Sequence, residues 1–202
     1  MPEQPALPRY TSENTGSSLK FVIPSRKNWF IILFMGGWLF FWALGEFVVV
    51  GVLIGGLIDL IKNGFVVDDL IGKLFGGGFF LVWIIGWTVG GGVALYTWLW
   101  QFAGKEIIEV TGESILVTHK IMKFEKSKEF LVTHISDLRV APITPDNVFG
   151  LRKNRFTWGV PPGTLAFDYG AKTINFGSGC EEGEAKMILK EIWQTYPQYK
   201  PQ

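Results

Sequence analysis

Two runs of apolar residues limit this chain more than any other feature. Residues 29–58 are interrupted by one charge, Glu46, and residues 74–102 by none. A spanning helix needs about 20 apolar residues to cross a hydrocarbon core of about 30 Å. Backbone groups in lipid have to be satisfied within their own segment, so both runs are expected to be helices in spite of their glycines. At 1.5 Å per residue each run extends about 45 Å, so the helices are expected to tilt or protrude. Residues 66–75, with apolar side chains at helical spacing, are expected to lie along the outer interface.

Charge sets the boundaries. Residues 29–104 hold six charged residues and residues 105–202 hold twenty-five, which puts a domain boundary near Gly104-Lys105. The whole chain balances 19 Lys+Arg against 18 Asp+Glu, and that balance creates no global field to recruit nucleic acid or an acidic partner. Residues 1–28 lack the apolar core of a cleaved signal. The resulting division has a mobile polar tail over 1–18, then a segment leading into a two-helix membrane hairpin over 19–104. A folded domain over 105–197 and a short tail over 198–202 follow.

Basic residues give the orientation. Lys20, Arg26 and Lys27 precede the first span, Lys105, Lys120 and Lys123 follow the second, and Lys62 and Lys73 lie between. That bias places both termini in the cytoplasm and makes the spans an antiparallel hairpin. Trp29, Phe30, Trp98 and Trp100 are expected to mark one interface.

Several features of the spans are candidate contacts. Gly51 with Gly55 and Gly86 with Gly90 are small-residue pairs at spacing four, which let helices approach closely; the partner is either the other arm or another chain. Trp38, Trp42 and Glu46 share one helical stripe, and Trp83 and Trp87 form a similar stripe on the other arm. Packing against helices and lipid accounts for both stripes, and the alternative is contact with a hydrophobic cofactor. No histidine lies in either span to ligate a haem, and no cofactor is assigned.

Glu46 has two placements. If the membrane begins at Trp29, Glu46 lies about 25 Å along the helix, near the far interface. If the core is centred on the run, Glu46 lies near the midplane and needs a proton or a partner. An antiparallel hairpin brings it level with residues 85–87, where Trp87 Nε1 or Thr88 can donate. One carboxylate with no second ionisable group in either span makes a poor proton relay, so a structural role is expected.

Beyond Lys105 the hydrophobic period changes to two. Strands are expected over 106–111 and 114–124, joined at Gly112-Glu113. A turn is expected at 125–128, then strands over 129–135, 137–141 and 155–160, with Pro161-Pro162-Gly163 as a break. A hairpin over 164–169 and 172–176 turns at Gly170-Ala171. Residues 181–196 read as an amphipathic helix, acidic at its electropositive N-terminus.

Antiparallel strands followed by one C-terminal helix is the order of a pleckstrin-homology (PH)-like domain. The chain resembles bacterial membrane proteins in which a transmembrane hairpin precedes a bacterial PH-like domain. The similar stretches are VIPSRKNWF (22–30), LYTWLWQFAGKEIIEVTGESILV (95–117) and AFDYGAKTINFGSGCEEGEAKMILKEI (166–192). The apolar insert over 47–75 is longer than that resemblance leads one to expect. The fold class it implies is a membrane α-helical hairpin plus an α+β PH-like cytosolic domain, in a scaffold or binding role without catalytic residues.

The remaining polar residues form no catalytic pattern. There is no Ser/His/Asp order, P-loop or GxGxxG after a strand. His119 and His134 lie on consecutive expected strands and could pair across them, but no third ligand of suitable spacing completes a metal site. Asp137 and Asp168 read as turn or edge residues, and Cys180 as a buried thiol with no disulfide partner. Arg152, Lys153 and Arg155, with Lys120, Lys123, Lys126 and Lys128, are candidate contacts for a partner or for anionic lipid, each basic residue contributing about 1 kcal/mol beside a charged leaflet.

The expected function is a non-catalytic membrane accessory or scaffold protein, with the bilayer and a membrane complex or a second copy as partners. An anionic-lipid sensor built on the basic loop 151–155 is the alternative. A transport or redox subunit using Glu46 is the further one.

Overall fold

The structure, a computed structural model, describes residues 8–63, 70–141 and 163–201. These form two compact units: one combines the N-terminal segment up to Lys27 with everything from Leu99 onward, and the other is Asn28–Trp98.

The second unit is a pair of long helices, α1 (Trp29–Asn63, 35 residues) and α2 (Leu70–Ala103, 34 residues). Asn28 caps α1: its side-chain Oδ1 accepts the Ile31 N–H at 3.3 Å and its carbonyl accepts the Ile32 N–H at 2.9 Å. Trp98 Nε1 donates to the Ile32 carbonyl at 2.8 Å, Trp42 lies over Gly91, and Thr88 reaches Glu46. Residue numbers on α1 rise as their partners on α2 fall, so the helices run antiparallel. Both are long and apolar enough to cross a membrane, with 18-residue stretches of mean hydropathy 2.2 within Trp29–Lys62 and 1.5 within Phe80–Ala103. Of the expected interfacial segment 66–75, residues 66–69 lie outside the described residues and 70–75 begin α2.

Among the described residues, the first unit is built from eight antiparallel strands in two sheets and a C-terminal helix. Strands β1 (Thr11–Asn14), β2 (Leu19–Pro24), β3 (Gly104–Val110), β4 (Ser114–Ile121) and β5 (Phe124–Leu131) lie side by side in that order. A 3-10 turn, Val132–His134, leads to the second sheet of β6 (Ile135–Val140), β7 (Leu165–Tyr169) and β8 (Lys172–Phe176), followed by α3 (Glu182–Thr195). Period-two alternation fills the core. Leu19, Phe21 and Ile23 of β2, Ile108 and Val110 of β3, and Ile115 and Val117 of β4 all point inward. They meet Leu165, Phe167 and Phe176 of the second sheet and the α3 stripe of Ala185, Ile188, Leu189 and Ile192. A capping box between Glu181 and Glu184 starts α3.

Four expectations are corrected. Of the expected tail 1–18, residues 1–7 lie outside the described residues and residues 8–18 are not free: they supply β1, set Tyr10 edge-on to Phe21, and tie Arg9 to Glu184 at 3.0 Å and to the Gly179 carbonyl at 2.7 Å. The segment leading to the membrane is itself a core strand, β2, whose alternation was hidden by its place before an apolar run. Residues 125–128 are strand and not turn: the chain reverses at Met122-Lys123, with Ile121 paired to Phe124 and Met122 at φ +52°. No Gly or Asn marks that turn, which is why the pattern missed it. The histidines do not pair, since β4 places His119 opposite Lys126 and His134 closes the 3-10 turn against Tyr169. The expected strand 155–160 and the break at 161–162 lie outside the described residues.

Candidate functional site

Two carboxylates, one in each unit, carry the least ordinary polar chemistry among the described residues. In the helical pair, α1 extends 17 residues to either side of Glu46, which is its central residue. Thr88 Oγ1 donates to Glu46 Oε1 at 2.6 Å, so Thr88 takes the bond that the register offered to it or to Trp87. The side chain is thus turned toward α2 and not out toward an interface. Its other oxygen, Oε2, is buried without a hydrogen-bond partner, and so is Trp42 Nε1 one turn earlier on the same stripe.

The glycines that permit close approach differ from those the spacing singled out. A Cβ at Gly91 would fall inside the Trp42 indole, and one at Gly36 would meet Trp98 Nε1 at 3.3 Å. Gly51, Gly55, Gly86 and Gly90 have nothing within 4 Å of that position among the described residues, so none of the contacts described between the two arms is made there. Trp83 stacks on Trp87 at 5.2 Å, and Trp38 and Trp83 remain 41% and 44% exposed. Trp29 and Phe30 are exposed, as a belt requires, but Trp100 is not part of one: it is buried against His119, ring centroids 5.3 Å apart.

In the sheet unit, Glu106 sits on the inward face of β3 and is fully buried. Its two oxygens accept the backbone N–H groups of Gly177 at 2.9 Å and Ser178 at 2.6 Å, so the carboxylate fastens β3 to the segment between β8 and α3. His119, its cross-strand neighbour, holds Nε2 3.7 Å from Oε2, an ion-pair separation longer than either N–H contact. Burial alone would push the Glu106 carboxyl up. His119 and the two N–H donors more than offset that and hold it below the ordinary carboxylate value. The sequence signal was present, because Glu106, Ile108 and Val110 alternate on one face, but the residue was read only as part of a strand.

The other sequence candidates fall elsewhere. Arg139 binds Asp168 through both terminal nitrogens, at 3.0 and 3.2 Å, and also reaches Asp137 at 2.6 Å. Those bonds, with one from Thr173, keep the Asp168 carboxyl low. Burial, with Glu184 and Glu106 nearby, pushes the Cys180 thiol up to about 12, which leaves it protonated and unreactive at neutral pH. Arg152, Lys153 and Arg155 lie outside the described residues. Among the described residues no group of three or more His, Cys, Asp or Glu could hold a metal ion.

Comparison of the chain with protein-family models, with curated proteins and with solved structures finds no match.

Proposed function

We propose that this protein is an integral membrane accessory or scaffold protein without catalytic activity, its helical pair forming a transmembrane hairpin and its sheet unit serving as a PH-like binding domain. The observation that carries the reading is where the apolar surface lies. The most apolar window of α1 buries none of its residues within the chain, and that of α2 buries 11%, whereas a core helix of a soluble protein is mostly covered. Phe30, Phe41 and Phe47 are 78%, 72% and 80% exposed, and such a surface is stable in lipid or against other apolar helices. The flanks of Gly51, Gly55, Gly86 and Gly90, open among the described residues, leave room for a helix from another chain.

The sheet supports two crossings. β2 precedes both helices and pairs directly with β3, which follows them, so the chain comes back to the side it left. The basic bias of the flanking segments favours the cytoplasm as that side. Two antiparallel sheets closed by a C-terminal helix are compatible with the PH-like resemblance.

Purification of the tagged protein in a gentle detergent, with mass spectrometry of everything retained, tests the proposal. Recovery in fixed ratio with a membrane complex supports it, and a stable solitary monomer counts against it.

A second reading, a transport or redox role for Glu46, is favoured by the two buried atoms Glu46 Oε2 and Trp42 Nε1, which lack protein partners. Under it, Glu46→Gln abolishes activity of the complex while assembly persists; loss of assembly marks a structural residue instead.

A further inference from the structure

The β4–β5 turn combines features that the sheet itself does not require. Met122 and Phe124 are 66% and 83% exposed, against a core in which Phe21, Phe130 and Phe167 are 0–2% exposed. Met122 adopts φ +52°, a conformation that side chains other than Gly, Asn or Asp seldom take. A glycine would make the turn at less strain, so an exposed methionine there is not explained by turn chemistry. Lysine surrounds the pair: residues 120–128 hold Lys120, Lys123, Lys126 and Lys128 against one acid, Glu125. Glu125 is engaged by Lys120 at 3.0 Å.

Register fixes which end of the sheet this is. Pro24 pairs with Lys105, Gly104 with Ile121, and Ile121 with Phe124. The turn therefore lies at the end where β2 leaves for α1 and where α2 delivers the chain to β3. The β3–β4 turn around Glu113 lies at the opposite end.

We propose that the β4–β5 turn docks on the acidic leaflet of the membrane that α1 and α2 cross. Met122 and Phe124 enter the interfacial layer, and Lys123 and its neighbouring lysines contact anionic headgroups. Apolar tips ringed by cations suit that surface, where the side chain leaves water and the ammonium group stays among phosphates. The inference rests on the reading of α1 and α2 as spans.

The test uses full-length protein in nanodiscs of phosphatidylcholine alone or mixed with phosphatidylglycerol. A bimane label is placed in turn at Met122→Cys, Glu113→Cys and Phe47→Cys; Cys180, 5% exposed, stays unlabelled. The label at 122 is expected to shift to the blue and lose intensity to spin-labelled lipid, more strongly with phosphatidylglycerol. The label at 113 is expected not to respond, and Lys123→Gln with Lys126→Gln should remove the extra loss at 122. Equal response at 122 and 113, or no dependence on anionic lipid, overturns the proposal. The label at 47 reports on the spans separately: quenched there but not at 122, the inference alone fails; unquenched at 47, the membrane reading fails and the inference with it.

Discussion

Glu46 and Glu106 are both acids in apolar surroundings, yet the two units treat them differently. Glu106 has both oxygens matched by backbone N–H donors and a histidine beside them. Glu46 has one hydroxyl partner and one oxygen left without any. In the sheet unit the cost of burying the charge is met by the unit's own backbone. In a helical pair every backbone N–H past the first turn is already committed to its helix, so only side chains remain to solvate an acid. The incompletely satisfied carboxylate is thus the one in the unit whose large apolar side chains are most exposed.

The strongest way to break this contrast is Glu106→Ala, which leaves the Gly177 and Ser178 N–H groups and His119 without their acceptor. Loss of one member of a buried pair costs about 3–5 kcal/mol, to be read as a lower urea midpoint for the sheet unit by pulse proteolysis of the full chain. Its pH dependence sharpens the point. The Glu106 carboxyl is held below its ordinary value of 4.5, so the stability it contributes is fully present above that value. It is lost as pH falls through the folded-state value. Unfolding midpoints should therefore drop on acidification from about pH 6 to about pH 3. Glu106→Gln should flatten that slope and leave the part due to the other described carboxylates that are lowered, Asp168, Glu182 and Glu184; an unchanged slope would refute the assignment.

Within the helical pair, Gly91→Val drives a side chain into the Trp42 indole, and overpacking of that kind costs about 1–3 kcal/mol. Gly90→Ala, beside open space, should leave the packing intact and stabilise the helix by about 0.5–1 kcal/mol through backbone propensity. Spin-label distances between α1 and α2 in the two variants discriminate them. The smallest expected effect is that of Thr88→Val. Interhelical side-chain bonds in membranes average about 0.6 kcal/mol, so a double-mutant cycle with Glu46→Gln is the measurement to use. A coupling near zero would mean that Glu46 is solvated by something other than Thr88.

Legibility in the sequence followed the same division. The helices were plain because thirty apolar residues have few other destinations, and the hairpin at Gly170-Ala171 was plain because Gly170 adopts φ +60° in a turn that calls for it. The β4–β5 turn was missed because methionine took a glycine's conformation. β2 was assigned to the approach to the membrane because its partner lies on the far side of two helices. The GxxxG spacing pointed to Gly51 and Gly86, but tryptophan size, and not spacing, decided that Gly36 and Gly91 make the contacts. Glu106 could have been found from alternation alone, yet nothing local announces that its partners are two amides some seventy residues away.

The pairing of β2 with β3 also orders events in time. Pro24 and Lys105 are register partners, so the first strands of the sheet are synthesised before the helices and wait for the rest. At about 5–20 residues per second, the interval between them is roughly 4–16 s. During it Leu19, Phe21 and Ile23 have no sheet to enter and stand as an exposed apolar edge. The sheet unit can therefore finish folding only after both helices have been synthesised, and under the reading proposed above its folded state follows their insertion.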